Sequence, residues 1–382
     1  MANRVGIVTW YSYENYGTVL QAVALNKAVQ QLGYDAIDIS YDPALGRLSH
    51  EAGDGSLVVR IKNKAKYLYG LCPLQNEMKS QLFSIFIKDN LSLTEPVEAK
   101  ADLRQFNHCF DAFVCGSDQV WSPRCFDSTY YLDFVTDENR MVAYAPSFGC
   151  DSIDQYASVD SIETLLNRFN HVAVRETTGA DIVEKYTGHR PTVVLDPTLL
   201  LTAKTWKQFA APVEEGGPYC AVYFLGDNGD NWKAALTIAK SKGLRVVAIP
   251  VFNRDLRRPY SVQYPVGPGE FLSLISNAEL VCTDSFHGMV FSTIFRRDYI
   301  AFERFNPKSK DSQNTRVYSF LEMTGAQDRL LSRNNLKGIH DFISRTTEFS
   351  RIVPRVDQKR IESIDYLRRA LAEATLREGG DL

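Results

Sequence analysis

Short apolar runs alternate along the chain with longer segments in which apolar residues recur at helical spacing. In the first half, the apolar runs predict strands at residues 4–10, 34–40, 110–115, 141–144 and 171–174. The segments between several of them have the pattern of amphipathic helices. Strands that alternate with helices fold as βαβ units, so this half is expected to form a parallel sheet with right-handed crossovers.

The second half repeats this alternation. Its apolar runs predict strands at residues 219–225, 244–250, 279–283 and 299–302, again with helical segments among them. A chain of 382 residues is too long for one ordinary core and fits two domains of medium size. The pattern therefore predicts an α/β protein with two doubly wound halves.

The domain limits follow from where the alternation pauses. A Gly-Gly-Pro turn at residues 216–218 ends a linker, and a basic helical segment at 46–93 is expected to pack on the first domain. The predicted limits are 1–201 for the N-terminal domain, 202–217 for the linker, 218–355 for the C-terminal domain and 356–382 for a terminal helix that returns across the hinge.

Polar clusters follow several predicted strands, and in open α/β sheets ligands bind outside the carboxyl ends of the strands. The segment LVCTDSFHGMVFSTIF at 280–295 is the most informative of these ends. Asp284 or Ser285 can cap a helix whose first turn contains His287. An anion at such a helix start would meet both backbone N–H groups and an imidazole. The alternative is that His287 is a capping or packing residue.

Two arginines and one aspartate are further candidates for binding or catalysis. Arg175 ends an apolar strand, where it can clamp a carboxylate or phosphate, or else form a structural ion pair with Glu176. Arg316 precedes an amphipathic helix. It can bind an anion in the same way, or it can be a solvated residue at a helix start. Asp118, in GSDQVW, can orient a substrate hydroxyl or cap the following helix.

Composition excludes several classes of function. The net charge of −3 leaves no basic surface of the kind that nucleic-acid binding requires. The N-terminus lacks the features of a signal peptide and no apolar run is long enough to cross a membrane, so we expect a cytoplasmic protein. The cysteines form no CxxC pair and the first loop is not GxGxxG, so neither a metal site nor a dinucleotide cofactor is expected.

Six motifs together resemble those of the polysaccharide pyruvyl transferase family, and they occur in that family's order. They are NYGTVLQ at 15–21, GSDQVW at 116–121, YAPSFG at 144–149, VRE at 174–176, DPTLLL at 196–201 and DSFHG at 284–288. The resemblance covers nearly the whole chain. It implies an α/β fold with two Rossmann-like domains facing across a cleft, as in the GT-B glycosyltransferases.

The resemblance also implies an activity. Members of this family transfer an enolpyruvyl-derived group from phosphoenolpyruvate to a sugar of a cell-surface polysaccharide or of its lipid-linked precursor. The products are a pyruvate ketal and phosphate. Phosphoenolpyruvate is then a co-substrate and no cofactor or metal is needed. A lipid-linked acceptor would add peripheral contact with the inner face of the membrane.

The resemblance assigns roles to individual residues. The family's strand-end arginine falls on Arg175 and its helix-start histidine on His287, and with Asp118 they form the expected catalytic set. Expected donor-binding residues are Arg175, Arg316, Asp284, Ser285, Phe286 and Gly288. Expected acceptor-binding residues are Asn15, Tyr16, Gly17, Gln21, Gly116, Ser117 and Ser147. The family often has an arginine where this chain has Ser285, and Arg316 is a candidate to replace it.

Two other functions are compatible with the same residues. A GT-B-like glycosyltransferase would hold the diphosphate of a nucleotide sugar at the helix start before His287. A binding protein without catalytic activity would keep the ligand site and lack turnover.

Overall fold

A computed structural model describes residues 2–43, 74, 76–262, 264–306, 314–332 and 338–376. The chain forms two compact units. The first contains the described residues of Met1–Glu51, Ile87–Leu201 and Asp357–Leu382, and the second those of Ala52–Phe86 and Thr202–Val356.

The first unit has a six-stranded sheet in which every strand pairs in parallel, in the order β2-β1-β3-β4-β5-β6. The strands are β1 Arg4–Val8, β2 Asp35–Asp38, β3 Ala112–Cys115, β4 Met141–Tyr144, β5 His171–Val174 and β6 Thr192–Val193. The central strands β3 and β4 are buried at every residue, as expected for a parallel sheet covered on both faces. The predicted parallel sheet is confirmed.

The second unit has a five-stranded parallel sheet in the order β11-β10-β9-β7-β8. The strands are β7 Tyr219–Tyr223, β8 Arg245–Ala248, β9 Leu280–Thr283, β10 Asp298–Phe302 and β11 Leu330–Leu331. The four longer strands confirm the prediction. The edge strand β11 was not predicted, because a two-residue strand has no periodicity that a sequence could reveal.

Helices occupy most of the segments between strands. They are α1 Tyr16–Gln31, α2 Glu77–Asn90, α3 Val159–Leu166, α4 Thr177–Thr187, α5 Ala203–Trp206, α6 Gly229–Ser241, α7 Pro268–Ser276, α8 Phe286–Ile294, α9 Thr315–Thr324, α10 Ile339–Ser344 and α11 Phe349–Ala374. Short 3-10 helices lie at Lys100–His108, Pro123–Cys125, Ser128–Tyr131, Glu138–Arg140, Pro197–Leu200, Asn253–Arg257 and Gln327–Arg329.

Helix α2 is the largest described part of the predicted segment 46–93, of which residues 46–73 and 75 lie outside the description. The sequence assigned this whole segment to the first domain. In the structure, residues up to Phe86 belong to the second unit, and those from Ile87 to the first. Phe86 is buried with its ring 6.5 Å from that of Phe209, which explains why this part of the helix packs there.

The terminal helix begins at Phe349, and its residues from Asp357 onward belong to the first unit. Ser363 accepts a hydrogen bond at its Oγ from the backbone N–H of Leu195, at 2.9 Å. Arg360 donates from Nε to the carbonyl of Leu199. These contacts join the C-terminus to the loop that follows β6. No described helix is both long enough and apolar enough to cross a membrane.

A buried carboxyl group holds α1 against β2. Asp38, at the end of β2, is fully buried and accepts a hydrogen bond of 2.7 Å from Asn26 Nδ2. The same amide lies 3.2 Å from the carbonyl of Ala36. Burial raises the pKa of Asp38 to about 8, against the opposing effect of the hydrogen bond from Asn26.

Replacing this carboxyl group tests its effect on stability. The pKa of Asp38 in the folded state lies above the value of about 3.9 for an unfolded chain. Its stabilising contribution is therefore complete below about pH 4 and is lost as the pH rises toward 8, by at most about 1.4 kcal/mol per pH unit. Between those values, the free energy of unfolding should fall less steeply in Asp38→Asn than in wild type, as measured by urea unfolding. Equal slopes would contradict this, and Asp35→Asn, exposed on the same strand, is the matched control.

Candidate functional site

Arg175 lies at the carboxyl end of β5 with a side chain that is 3% exposed. Its Nε donates to Glu176 at 2.9 Å and its Nη1 to Asp196 at 2.8 Å, while an oxygen of Asp118 lies 3.7 Å from Nη1. Burial acts to lower the pKa of Arg175, but the three surrounding carboxylates outweigh it and raise the pKa. The guanidinium charge is thus offset within the protein.

This environment does not favour the role predicted for Arg175 as a donor anchor, which stays a prediction. A phosphate or carboxylate ligand would enter a region that already holds three carboxylates around one guanidinium, and like charges repel. The geometry agrees with the alternative given above, a structural ion pair between Arg175 and Glu176. Asp196 and Asp118 are further acidic partners of the same guanidinium. Sequence could not reveal this, because Asp196 and Asp118 are distant along the chain.

Asp118 lies in the loop after β3 in a left-handed backbone conformation, with φ of 60°. One carboxylate oxygen accepts a hydrogen bond of 2.9 Å from the hydroxyl of Thr18, at the start of α1. The loop passes so close to β4 that a Cβ on Gly116 would lie 2.2 Å from the carbonyl oxygen of Tyr144. Asp118 is therefore held at the carboxyl edge of the sheet by α1 on one side and Arg175 on the other.

Most of the predicted acceptor-binding residues lie at the same edge but are buried. Gln21, Ser117 and Ser147 have no exposed surface. Gln21 Nε2 lies 2.9 Å from the carbonyl of Trp10, and its Oε1 accepts from the N–H of Ser117. Ser147 Oγ accepts from the N–H of Gly149. In the structure these side chains hold the loops together, and the ligand contact expected for them stays a prediction.

Among the remaining residues of the acceptor prediction, only one is exposed. Tyr16, Gly17 and Gly116 are buried. Asn15 is exposed and accepts a hydrogen bond of 3.3 Å from the N–H of Thr18, so it caps α1. The acceptor contact expected for Asn15 stays a prediction.

In the second unit, α8 begins directly after β9, as predicted. Ser285 is the N-cap, and its hydroxyl accepts from the N–H of Gly288 at 3.3 Å. A Cβ on Gly288 would lie 2.4 Å from Thr283 Oγ1, so glycine permits the close approach of helix and strand. His287 lies in the first turn, 7% exposed, with its ring at 5.1 Å from that of Phe286. The imidazole of His287 therefore lies at the start of a helix, as the sequence predicted.

Asp284 has a structural role that the sequence did not predict. Its carboxylate accepts hydrogen bonds from the N–H groups of Leu225 at 2.7 Å and Gly226 at 2.9 Å. Burial raises the pKa of Asp284, against the opposing effects of Arg304 and these two amides. The side chain joins the loop after β7 to the loop after β9. Its predicted contact with the donor stays a prediction.

Arg304 is a candidate that sequence reasoning missed. It follows β10, and its Nη2 donates to the backbone carbonyl of Asp284 at 3.2 Å. Its Nε is buried and has no hydrogen-bond partner among the residues that the structure describes, while the side chain as a whole is 20% exposed. The available signal was a basic residue at the carboxyl end of an apolar strand, the same signal that drew attention to Arg175.

Arg316 lies in α9 and is 8% exposed. The rings of Phe286 and Phe320 are 5.8 Å apart, which places α9 beside the start of α8. In the same region Tyr318 donates to Glu303 at 2.6 Å, and burial together with this carboxylate raises the pKa of Tyr318 to about 12. The position of Arg316 is compatible with its predicted donor role, which stays a prediction.

The structure thus brings the predicted residues together in two sets, one in each unit. Asp118 and Arg175 lie with Gln21 at the carboxyl edge of the first sheet, and the residues of the DSFHG motif lie at that edge of the second. A shared pocket for Arg175 and His287 stays a prediction. No cluster of three or more His, Cys, Asp or Glu side chains in the described parts of the chain could hold a metal ion.

The sequence profile of the polysaccharide pyruvyl transferase family matches residues 15–304. The matched region contains both sets of residues. The chain belongs to this family. No curated protein matches the sequence at a significant level.

Solved structures with the same fold differ widely in sequence. Arabidopsis thaliana UGT89C1 complexed with UDP-L-rhamnose superposes with a TM-score of 0.51 at 9% identity, over 98% of this chain and 100% of that one. A Listeria monocytogenes protein assigned as a UDP-N-acetylglucosamine 2-epimerase gives 0.51 at 8% identity, over 97% and 92%. Such similarity confirms the fold class, an α/β protein with two Rossmann-like sheets of the GT-B type.

Removing Arg175 distinguishes a structural from a ligand-binding role. Arg175→Ala leaves three buried carboxylates without their cation, and we expect a loss of about 3–5 kcal/mol in the free energy of unfolding, measured with urea. The matched control is Arg190→Ala, which removes an exposed arginine that also pairs with two carboxylates, and should change stability little. Two equally stable variants would refute the structural role.

Proposed function

We propose that this transferase moves the enolpyruvyl-derived group of phosphoenolpyruvate onto a sugar of a polysaccharide or of its lipid-linked precursor. The observation that carries the proposal is the position of His287 in the first turn of α8, in a chain of the pyruvyl transferase family. That turn supplies what the donor needs, which is backbone N–H groups for an anion and an acid for proton transfer.

Arg304 completes the donor site in this proposal. Phosphoenolpyruvate carries a phosphate and a carboxylate, both of which a guanidinium binds through two parallel hydrogen bonds. Arg304 bonds the carbonyl of Asp284, three residues before His287, and so lies beside the helix start. It supplies the positive charge that the family often carries at the position of Ser285. Arg316, on the neighbouring helix, is the second anchor.

The chemistry requires one proton donor and two acceptor hydroxyl groups. One hydroxyl attacks C2 of phosphoenolpyruvate while His287 protonates C3, which becomes a methyl group. The second hydroxyl then attacks C2, and the C–O bond to phosphate breaks as the ketal ring closes. The two hydroxyl groups lose two protons, of which one restores His287 and the other leaves with the phosphate. Asp118 is assigned to orient the attacking hydroxyl.

The place of action follows from the substrates. Phosphoenolpyruvate is a charged intracellular metabolite, so the proposed reaction takes place in the cytoplasm. If the acceptor is lipid-linked, the enzyme works at the inner face of the membrane.

The first test is release of phosphate from phosphoenolpyruvate in the presence of a panel of glycosides, with mass spectrometry of the products. Wild type should form a pyruvate ketal. His287→Ala should reduce turnover by about 10²–10⁴-fold while phosphoenolpyruvate still raises the melting temperature. The exposed His340→Ala is the matched control. Sugar transfer from a nucleotide sugar, without any response to phosphoenolpyruvate, would favour the glycosyltransferase instead.

A second test concerns Arg304. Loss of a charged hydrogen bond to the donor should raise the KM for phosphoenolpyruvate by about 10–100-fold in Arg304→Ala. The increase should be smaller in Arg304→Lys, which keeps the positive charge but lacks the two parallel N–H donors of a guanidinium. Arg245→Ala removes an arginine at the amino end of β8 and should leave this KM unchanged. A KM in Arg304→Ala equal to that of wild type would remove Arg304 from the donor site.

A further inference from the structure

Two buried asparagines hold the residues on either side of Arg304. Asn231, in the first turn of α6, is 1% exposed and donates from Nδ2 to the carbonyl of Glu303 at 3.2 Å. Asn314, the N-cap of α9, is 2% exposed. Its Nδ2 donates to the carbonyl of Phe305 at 2.9 Å, and its Oδ1 accepts from the N–H of Phe305 at 3.3 Å. Side chains from α6 and from the start of α9 therefore fix the backbone immediately before and after Arg304.

The amide of Asn314 is used for this loop and not for its own helix. An asparagine at an N-cap usually accepts a hydrogen bond from the second or third N–H group of the helix. All of α9 is described, and no such capping bond is formed there. Asn314 instead exchanges two hydrogen bonds with Phe305, as paired residues of an antiparallel sheet do. The local preference for this position is thus overridden, which is common where a residue serves a functional site.

Neighbouring polar groups strengthen the hold on this segment. Asn228 donates from Nδ2 to Oδ1 of Asn231 at 2.9 Å, which leaves the NH₂ group of Asn231 directed at Glu303. Tyr318, in α9, donates to the carboxylate of Glu303 at 2.6 Å, so that residue is held at its side chain as well as at its backbone. Buried amides are costly to leave unpaired, so these bonds resist displacement. The network ties residues 303–305 to both α6 and α9.

The side chain of Arg304 is confined as well. A Cβ on Gly226, in the loop after β7, would lie 2.7 Å from Cγ of Arg304 and 2.8 Å from Oδ2 of Asp284. Glycine at this position therefore leaves the space through which the arginine side chain runs. Nη2 of Arg304 then reaches the carbonyl of Asp284 at 3.2 Å. The backbone, the aliphatic stem and the guanidinium of Arg304 each have a defined contact.

Such confinement affects binding because the arginine side chain is long. A free arginine samples many rotamers and loses that freedom when it binds an anion, which weakens binding. An arginine that is already held in its binding conformation avoids most of this loss. Arg304 is the only cationic residue among residues 303–305, so the contacts restrain the one side chain of the segment that can bind a negatively charged donor.

We propose that Asn231 and Asn314 are positioning residues, which hold the guanidinium of Arg304 beside the start of α8 in the conformation that binds the donor. Gly226 provides the room for that conformation. The two asparagines do not touch the donor and act through Arg304. The inference rests on the proposed function for the identity of the ligand.

Steady-state kinetics with phosphoenolpyruvate test this role. In Asn231→Ala and in Asn314→Ala the KM for phosphoenolpyruvate should rise about 3–10-fold, while kcat, which depends on proton transfer, stays within about twofold. In an Arg304→Ala background, adding Asn231→Ala should change the KM by less than about twofold, because the residue through which Asn231 acts is gone. Asn277→Ala, exposed at the end of α7, is the matched control and should change neither constant.

Three results would overturn the positioning role. They are an unchanged KM in both single variants, an equal effect of Asn231→Ala with and without Arg304, and a fall in kcat without a rise in KM. If loss of a buried amide prevents folding, Gly226→Ala makes the test without removing a hydrogen bond, and its KM should rise. In Gly229→Ala the new Cβ would meet nothing within 4 Å, so the KM should stay at the wild-type value. Equal KM values in the two glycine variants would also overturn the role.

A second measurement separates positioning from the proposed reaction. Phenylglyoxal modifies arginine side chains, and mass spectrometry of peptides gives the rate at Arg304 with no substrate present. This rate should rise in Asn231→Ala, because a released guanidinium is more accessible, and should stay unchanged at Arg245, at the amino end of β8. A higher rate at Arg304, without phosphate release from phosphoenolpyruvate by wild type, would keep the positioning role and reject the reaction. Turnover of phosphoenolpyruvate, with equal modification rates and equal KM values in wild type and variant, would do the reverse.

Discussion

Parallel pairing of every strand is the constraint on which the functional features depend. In each sheet it brings all carboxyl ends to one edge, so loops far apart in sequence meet there. In the second unit, β7, β9 and β10 are neighbours, and this adjacency puts Asp284 within hydrogen-bonding distance of the loop after β7 and of Arg304 after β10. A buried carboxylate then holds two loops in place around the start of α8. Of the donor residues that we propose, His287 lies in the first turn of α8 and Arg304 follows β10.

Arg175 and Arg304 each follow a strand, and the residues around each guanidinium determine its role. Arg175 meets three carboxylates and is enclosed, so its charge stabilises the fold of the first unit. Among the described residues, Arg304 has one acidic partner, Asp284, whose carboxylate is already bonded to two amides. The Nε–H donor of Arg304 has no hydrogen-bond partner in the described parts of the chain, and its side chain is partly exposed. The same residue type after the same kind of strand therefore serves a structural role in one unit and a proposed binding role in the other.

The polar residues of the first unit illustrate a related division of roles. Gln21 and Ser117 belong to motifs that the family resemblance made prominent, yet they are buried and bond to each other. In the structure they hold together the loops after β1 and β3.

The sequence by itself determined the fold class, the parallel pairing of the long strands, the helix start at His287 and membership of the family. These features depend on periodicity, capping and short motifs, which are local properties of the chain. Tertiary structure alone decided which carboxylates surround Arg175, that Arg304 adjoins Asp284, and that α2 packs partly on the second unit. Each of these depends on contacts between segments distant in sequence. Charge and burial at a given residue are set by such contacts, so local pattern does not determine them.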